Sequence, residues 1–407
     1  MKTEDIHQGQ ELRSSGYSTS AVMPAQDKTT IELTRIWQEE LSVDAISGGQ
    51  NFFDLGGDSS LAVRMFARID QVFGVKLPLA TLYEAPTIDE LARILRAEVP
   101  TSGWSPLVAI QPLGSRPPLF CMHGAGGTVL MYRDLSLHLG NDQPFFGLQA
   151  AGLDGSSAPL ATIEEMAELY VKEIRRTQPR GPYFIAGYCM GGTVAYEVAQ
   201  QLYQHGETVA LLALLDTMNW RTIPLTAWSK ISHGAQQLFF HAASFLSLDS
   251  EGRSKFFREK VHELKNRIPV WRGMWLSRFK RSPGLNSDAM ILGKIWQTND
   301  RASWNYVAKR YPGKITDIRP ARQYRIFSKP GSKWDQLAQG GQEVVVLPVN
   351  PATMLVEPFV EQLAAVLRKS IDAAKQPGNS HPSDFHPSNS HPPNSYSSKG
   401  MGANSQH

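Results

Sequence analysis

Gly187-Tyr188-Cys189-Met190-Gly191 constrains this 407-residue chain more tightly than any other stretch. It follows an apolar run at 182–186 and opens a helix-like run at 192–206. A strand that turns into a helix this abruptly forces its central residue into a strained backbone, so the positions two before and two after must be small. Gly187 and Gly191 meet that demand. The pattern has the form of a nucleophile elbow with a thiol where a hydroxyl is usual.

The surroundings alternate strand and helix from residue 107 to about 374. Strand-like runs fall at 119–122, 182–186, 211–215, 315–318 and 344–349, and helical runs at 163–177, 192–206 and 356–373. Repeated units of this kind imply a mostly parallel sheet covered on both faces. The rhythm is lost between Thr217 and Tyr311, where six of the nine tryptophans lie. An insertion there is a candidate lid, its aromatic residues packing on one another or lining a broad apolar pocket. Within it, 251–281 holds ten Lys or Arg against three Glu. That stretch reads as a solvated face, with a membrane surface or an acidic partner as the alternative.

Residues 1–26 are polar and read as a disordered leader, and 375–407, rich in Ser, Pro, Asn and His, as a disordered tail. Weak metal binding by the tail histidines is the lesser reading, and no metal site is expected. Between them, Ile31, Leu33, Ile36, Trp37 and Leu41 recur at helical spacing, a second helix fits 59–73, and a third fits 87–95 with Pro86 and Thr87 as its start. A small all-α four-helix bundle of about seventy residues is expected. Two cysteines, Cys121 and Cys189, make no disulfide framework, and a net charge of +3 gives no reason to expect nucleic acid. Neither a secretory signal nor an apolar run long enough for a bilayer is visible, so a cytoplasmic location is the default expectation.

Two sets of residues carry chemistry. Asn51-Phe52-Phe53-Asp54-Leu55-Gly56-Gly57-Asp58-Ser59 ends at a helix start, where paired glycines allow a tight turn and Asp58 and Ser59 suit an N-terminus. By itself this describes an ordinary capped helix. Together with Thr29-Thr30-Ile31, Leu77-Pro78-Leu79 and Glu84-Ala85-Pro86-Thr87, it resembles the acyl and peptidyl carrier domain of modular synthetases over residues 29–97. The resemblance implies 4′-phosphopantetheine esterified to Ser59 by a phosphopantetheinyl transferase, and an acyl or peptidyl group held on its thiol. Ser60 departs from the apolar residue more usual there, leaving a second acceptor hydroxyl.

The other set is the elbow, the glycine-rich Cys121-Met122-His123-Gly124-Ala125-Gly126-Gly127 after a strand, and Asp216 at the end of a buried strand. In such a layout the backbone N–H groups of Ala125 and Met190 would be oxyanion donors. With Tyr311-Pro312-Gly313 and Met354-Leu355-Val356-Glu357-Pro358, residues 107–370 resemble the thioesterase domain that follows carrier domains. The resemblance implies an α/β-hydrolase fold, with Asp216 orienting a histidine three positions before Met354-Leu355. Pro351 stands there instead. A thiol tolerates that loss better than a hydroxyl, and a helix N-terminus is expected to lower its pKa from about 8.5. Acyl transfer is then favoured over hydrolysis.

The domain layout expected is therefore 1–26 leader, 27–98 carrier, 105–374 thioesterase-like hydrolase with a lid at about 217–311, and 375–407 tail. Adenylation or other synthetase enzymes are the expected partners. Three alternatives stay open: Cys189 as a small buried residue, Asp216 as a strand-end acid bonded to backbone, and His123, His233, His241 or His262 as a substitute base. A non-catalytic carrier and docking protein is the rival to the enzyme.

Overall fold

The computed structural model describes residues 27–99, 104–219, 246, 287–322, 334–350 and 353–375. The expected leader and tail, His233, His241, His262, Pro351 and the basic stretch 251–281 lie outside these residues.

The first unit comprises α1 (Lys28–Leu41), α2 (Ser59–Phe73), α3 (Thr81–Glu84) and α4 (Ile88–Leu95). Local chemistry starts two of them. Asp27 accepts the Thr30 N–H at 2.8 Å, and Thr87 and Glu90 form a reciprocal capping box at α4. Their inner faces bury Leu33, Ile36, Trp37, Phe52, Met65, Ile69 and Leu91, with Trp37 edge-on to Phe52 at 5.4 Å between ring centroids. Ile31 does not join them. At 100° per residue it lies nearly opposite Leu33, and it is 51% exposed.

The second unit is a seven-stranded sheet in the order β1-β3-β2-β4-β5-β6-β7. Its strands are β1 (Leu107–Gln111), β2 (Leu119–Met122), β3 (Phe145–Leu148), β4 (Tyr183–Tyr188), β5 (Val209–Leu215), β6 (Ile315–Pro320) and β7 (Gln342–Leu347). Only β1 runs antiparallel to its neighbour. The helices are α5 (Arg133–Leu139), α6 (Ile163–Thr177), α7 (Met190–Gln204), α8 (Ser287–Asn305) and α9 (Val360–Ala374).

Strand alternation sorts the core into two layers. Phe120, Met122, Leu212 and Leu214 pack with α6 and α7, whereas Leu119, Cys121, Ala213 and Leu215 pack with α5 and α9. Cys121 is thus a core residue, its thiol pushed up by burial. The sheet is α/β-hydrolase in character, mostly parallel and covered on both faces. The sequence pattern showed five of its strands. β1 is a half-exposed edge, and β3 is four residues long with a glycine in it, so neither stands out as a buried run.

Of the expected lid, α8 and a few flanking residues are described. Trp220, Trp228, Trp271 and Trp275 lie outside the described residues. The helical bundle touches the sheet unit through Leu130, which packs into the bundle's core, and through the Tyr83 hydroxyl, which donates to the Val129 carbonyl at 3.0 Å.

Trp37→Ala is expected to destabilise the bundle by about 3–5 kcal/mol, the usual cost of deleting a fully buried aromatic side chain. Urea unfolding followed by tryptophan fluorescence and circular dichroism checks this.

Candidate functional site

β4 is the central strand, and its last residue pairs with the last residue of β5, Tyr188 with Leu215. The residues that follow, Cys189 and Asp216, are therefore brought side by side at the carboxyl edge of the sheet. The Cys189 N–H donates to the Leu215 carbonyl at 2.9 Å, and the Asp216 N–H to the Ile318 carbonyl at 2.9 Å. Both residues hold positive φ, 55° at Cys189 and 45° at Asp216. For side-chain-bearing residues this is strain of about 1–3 kcal/mol each, sustained by the surrounding fold.

Close approach sets the glycines. A Cβ on Gly187 would fall 2.1 Å from the Gly191 carbonyl oxygen, and one on Gly191 would fall 2.3 Å from the Met122 carbonyl oxygen. Gly192 is a third such position, missed in the sequence, where a Cβ would meet the Thr217 hydroxyl at 1.8 Å. No local signal marks it, because the neighbour that forbids a side chain is distant in sequence.

The glycine-rich loop expected to supply an oxyanion donor follows β2. The Gly127 N–H closes it onto the Gly124 carbonyl at 3.0 Å, and the His123 N–H ties it to Leu148 at 2.9 Å. α8 lies across it. Asn299 Nδ2 donates to the Ala125 carbonyl at 2.9 Å, and Trp296 packs about 3.5 Å from where a Gly126 side chain would begin. Asn299 was not found in the sequence, since α8 belongs to the stretch where strand and helix rhythm fails.

The electrostatics overturn one expectation. The Cys189 thiol is pushed up to about 12 rather than lowered. Burial is the main cause and the Asp216 carboxylate the next; hydrogen bonding from the Met190 N–H opposes them, and Asp300 on α8 adds to the rise. The helix N-terminus is outweighed by desolvation and by two carboxylates. Cys189 is accordingly a thiol at neutral pH.

The described histidines do not supply a base. His123 Nδ1–H donates to the Gly124 carbonyl at 2.6 Å, its Nε2 is buried with no hydrogen-bond partner among the described residues, and burial lowers its pKa to about 4. His138 pairs with Glu357 at 2.8 Å, and His205 sits at the opposite end of α7 from Cys189.

In the carrier unit, Ser59 is the first residue of α2, and Asp58 Oδ1 accepts the Leu61 N–H at 2.8 Å. Gly56 has φ 90°, and a Cβ on Gly57 would fall 2.3 Å from the Phe52 ring. A tight loop delivering a serine to a helix N-terminus suits a phosphodiester, whose charge the exposed backbone N–H groups favour. The loop also meets the hydrolase unit. Arg133 Nη2 lies 2.8 Å from Asp54 Oδ1, and its guanidinium stands 4.7 Å from the Phe53 ring centroid. Nearby, a cavity of about 280 Å³ is bordered by Val63 and Phe66 of α2, Trp104, Leu153 and Leu292 of α8.

A helical unit with a serine at a helix start, joined to an α/β-hydrolase unit with a cysteine elbow, defines the class. Residues 32–95 match the family model for the phosphopantetheine attachment site, and residues 117–233 the model for the thioesterase domain. The chain carries a phosphopantetheine carrier domain followed by a thioesterase domain, the arrangement of nonribosomal peptide synthetases.

It is 46% identical to malpinin synthetase of Mortierella alpina over 194 residues, which cover 47% of this chain and 2% of that one. To a dimodular nonribosomal peptide synthase of Bacillus subtilis (strain 168) it is 39% identical over 193 residues, covering 47% of this chain and 8% of that one. The crystal structure of holo-AB3403, a four-domain nonribosomal peptide synthetase, superposes with TM-score 0.53 at 25% identity over 90% of this chain and 27% of that one. The chain spans between 2% and 23% of the length of these and other curated relatives. Among the described residues, no helix is long and apolar enough to cross a membrane.

The raised thiol gives a pH signature. With a folded pKa above the unfolded value of about 8.5, the protonated thiol favours the native state fully below that value. That stabilisation is lost as pH rises from about 8.5 towards 12. Cys189→Ala is expected to flatten the decline in thermal stability over that window, measured by scanning calorimetry at stepped pH. Alkylation of native Cys189 by iodoacetamide is expected to be slow at pH 7.5 and to climb throughout the same window.

Proposed function

We propose that the chain works as a carrier–thioesterase didomain in nonribosomal peptide or polyketide-type biosynthesis. Residues 27–98 carry an acyl or peptidyl group as a thioester on phosphopantetheine at Ser59. Residues 105–374 receive it at Cys189, with 217–311 as a lid. The arm supplies a thioester, whose carbonyl is more easily attacked than an ester or amide, on a tether long enough to leave the carrier. Ala125 and Met190 N–H groups receive the oxyanion, and Asp216 is the acid beside the nucleophile. A phosphopantetheinyl transferase and neighbouring synthetase modules are the partners this reading requires.

The observation that carries it is the strained, positive-φ Cys189 at the end of the central strand, beside the loop that α8 pins through Asn299. Strain of that kind at a strand end is kept where a reacting atom must be presented. The route from the carrier supports it too. α8 borders the cavity beside α2 with Leu292 and covers the glycine-rich loop with Trp296 and Asn299, so one helix meets both the helical unit and the loop beside the elbow.

A second reading has its own support. A thiol pushed up to about 12 is inert until a base acts on it, and Pro351 stands where the family's histidine would be. A carrier whose hydrolase domain only binds the acyl group fits both facts. The two readings separate in one experiment. The carrier is loaded with an acetyl-phosphopantetheine, and intact and peptide masses are followed over time. The acyl group is expected to appear on Cys189, Ser59→Ala to abolish loading, and Cys189→Ala to slow release by about 10³-fold or more. Loading without any acyl-Cys189, with release unchanged in Cys189→Ala, selects the binding protein instead.

A further inference from the structure

Residues 129–133, between the glycine-rich loop and the body of α5, face two ways. Towards the helical bundle, Leu130 packs into the core and the Val129 carbonyl accepts the Tyr83 hydroxyl at 3.0 Å. Arg133 Nη2 lies 2.8 Å from Asp54 Oδ1, and its guanidinium stands 4.7 Å from the Phe53 ring centroid. Phe53 in turn stacks on Tyr83, with 6.1 Å between ring centroids. On the carrier's side, the residues touched are therefore Phe53 and Asp54 of the loop leading to Ser59, and Tyr83 of α3.

Towards the elbow, the same five residues are tied down. The buried Tyr132 hydroxyl donates to the Met122 carbonyl at 2.6 Å and accepts the Tyr188 N–H at 3.0 Å, and Tyr188 immediately precedes Cys189. Met131 Cε lies 3.3 Å from where a Gly124 side chain would begin. Asp134 Oδ1, 3.1 Å from Arg133 Nη1, holds the guanidinium from its other side. The surface that meets the carrier is thus mounted on the two strands and the loop that build the elbow.

The contact has the anatomy of a recognition surface. One apolar anchor, Leu130, sits beside an ion pair that reaches solvent, the Asp54 side chain being 69% exposed and that of Arg133 21%. Pairs so exposed add little affinity but fix orientation. Beside α2 the packing opens into the cavity of about 280 Å³, bordered by Phe66 and Lys76 on the carrier's side and by Trp104 and Leu153 on the other. A carrier that collects its acyl group elsewhere needs a dock that orients it and still releases it. We propose that residues 129–133 are the site by which the thioesterase unit recognises this chain's own carrier. Leu130 is the anchor, and Arg133 reads Phe53 and Asp54 in the loop that presents Ser59.

This rests on the acyl-transfer reading above, and two readouts on the full chain separate their failures. The variants are Leu130→Asp, Arg133→Glu, Asp54→Arg and the paired Arg133→Glu/Asp54→Arg. Backbone hydrogen exchange at 129–133, followed by mass, reports docking whether or not an acyl group moves. It is expected to quicken about tenfold in each single variant and to return towards wild type in the paired one. Acetylation of Cys189 is then timed from two donors: acetyl-phosphopantetheine on Ser59, and free acetyl-pantetheine added to Ser59→Ala chains. The single variants are expected to slow delivery from the carrier about tenfold while the free donor, which bypasses the dock, stays within about twofold; the paired variant recovers delivery.

Arg133→Glu alters a partly exposed side chain and carries the test should Leu130→Asp fold poorly. Exchange unchanged in these variants overturns the inference. So does delivery from the carrier at the wild-type rate, or slowing that is equal from both donors, which marks damage to the elbow. Absence of acyl-Cys189 in the wild type, with exchange responding as expected, overturns the acyl-transfer reading and leaves the docking surface standing.

Discussion

The close packing of glycine against backbone at the end of the central strand governs the rest of this site. Gly187 must pass within contact distance of Gly191, and Gly191 within contact distance of the β2 carbonyls, before α7 can start where it does. Cys189 is then forced to positive φ and projects from the sheet edge, and its N–H is tied to the neighbouring strand. Once β4 and β5 end in register, Asp216 must fall beside the elbow. The glycine-rich loop after β2 is placed by the same packing, since β2 lies against β4 on the other side.

That geometry leaves an electrostatic problem. Burial and two acids hold Cys189 as a thiol, and one N–H at a helix start does not reverse them. A serine at this position would face a still higher barrier to ionisation. A thiol held protonated in this way reacts only once its proton is taken up by a base. α8 is the element laid over the glycine-rich loop, held there by the Asn299 hydrogen bond to the Ala125 carbonyl. The carrier unit meets the hydrolase unit through Arg133, which touches both Asp54 and Phe53 of the loop that presents Ser59.

Much of this could be read in the chain before any coordinates. The elbow, the glycine-rich loop after β2, Asp216 at a strand end and Ser59 at a helix start all lie in short segments whose local pattern states their geometry. The helices at 59–73 and 163–177 coincide with α2 and α6, because amphipathic periodicity and end signals agreed there. Ile31 shows the limit of that reasoning: an apolar residue near a helical stripe is still exposed when its phase is wrong. β1, β3 and α5 were not legible, being only four to seven residues long.

What the sequence alone determined is the set of local constraints: small residues around Cys189, a serine delivered by a glycine turn, and repeated units that must pair into a parallel sheet. Each follows from sterics or periodicity within a dozen residues. What only the tertiary structure decided is the chemistry of the nucleophile. The pKa of Cys189 depends on burial and on Asp216 and Asp300, residues 27 and 111 positions away. The position of α8 over the glycine-rich loop likewise depends on a hydrogen bond between residues 174 positions apart. Coulombic and desolvation effects act through space, so a local pattern could suggest a lowered thiol while the assembled site raises it.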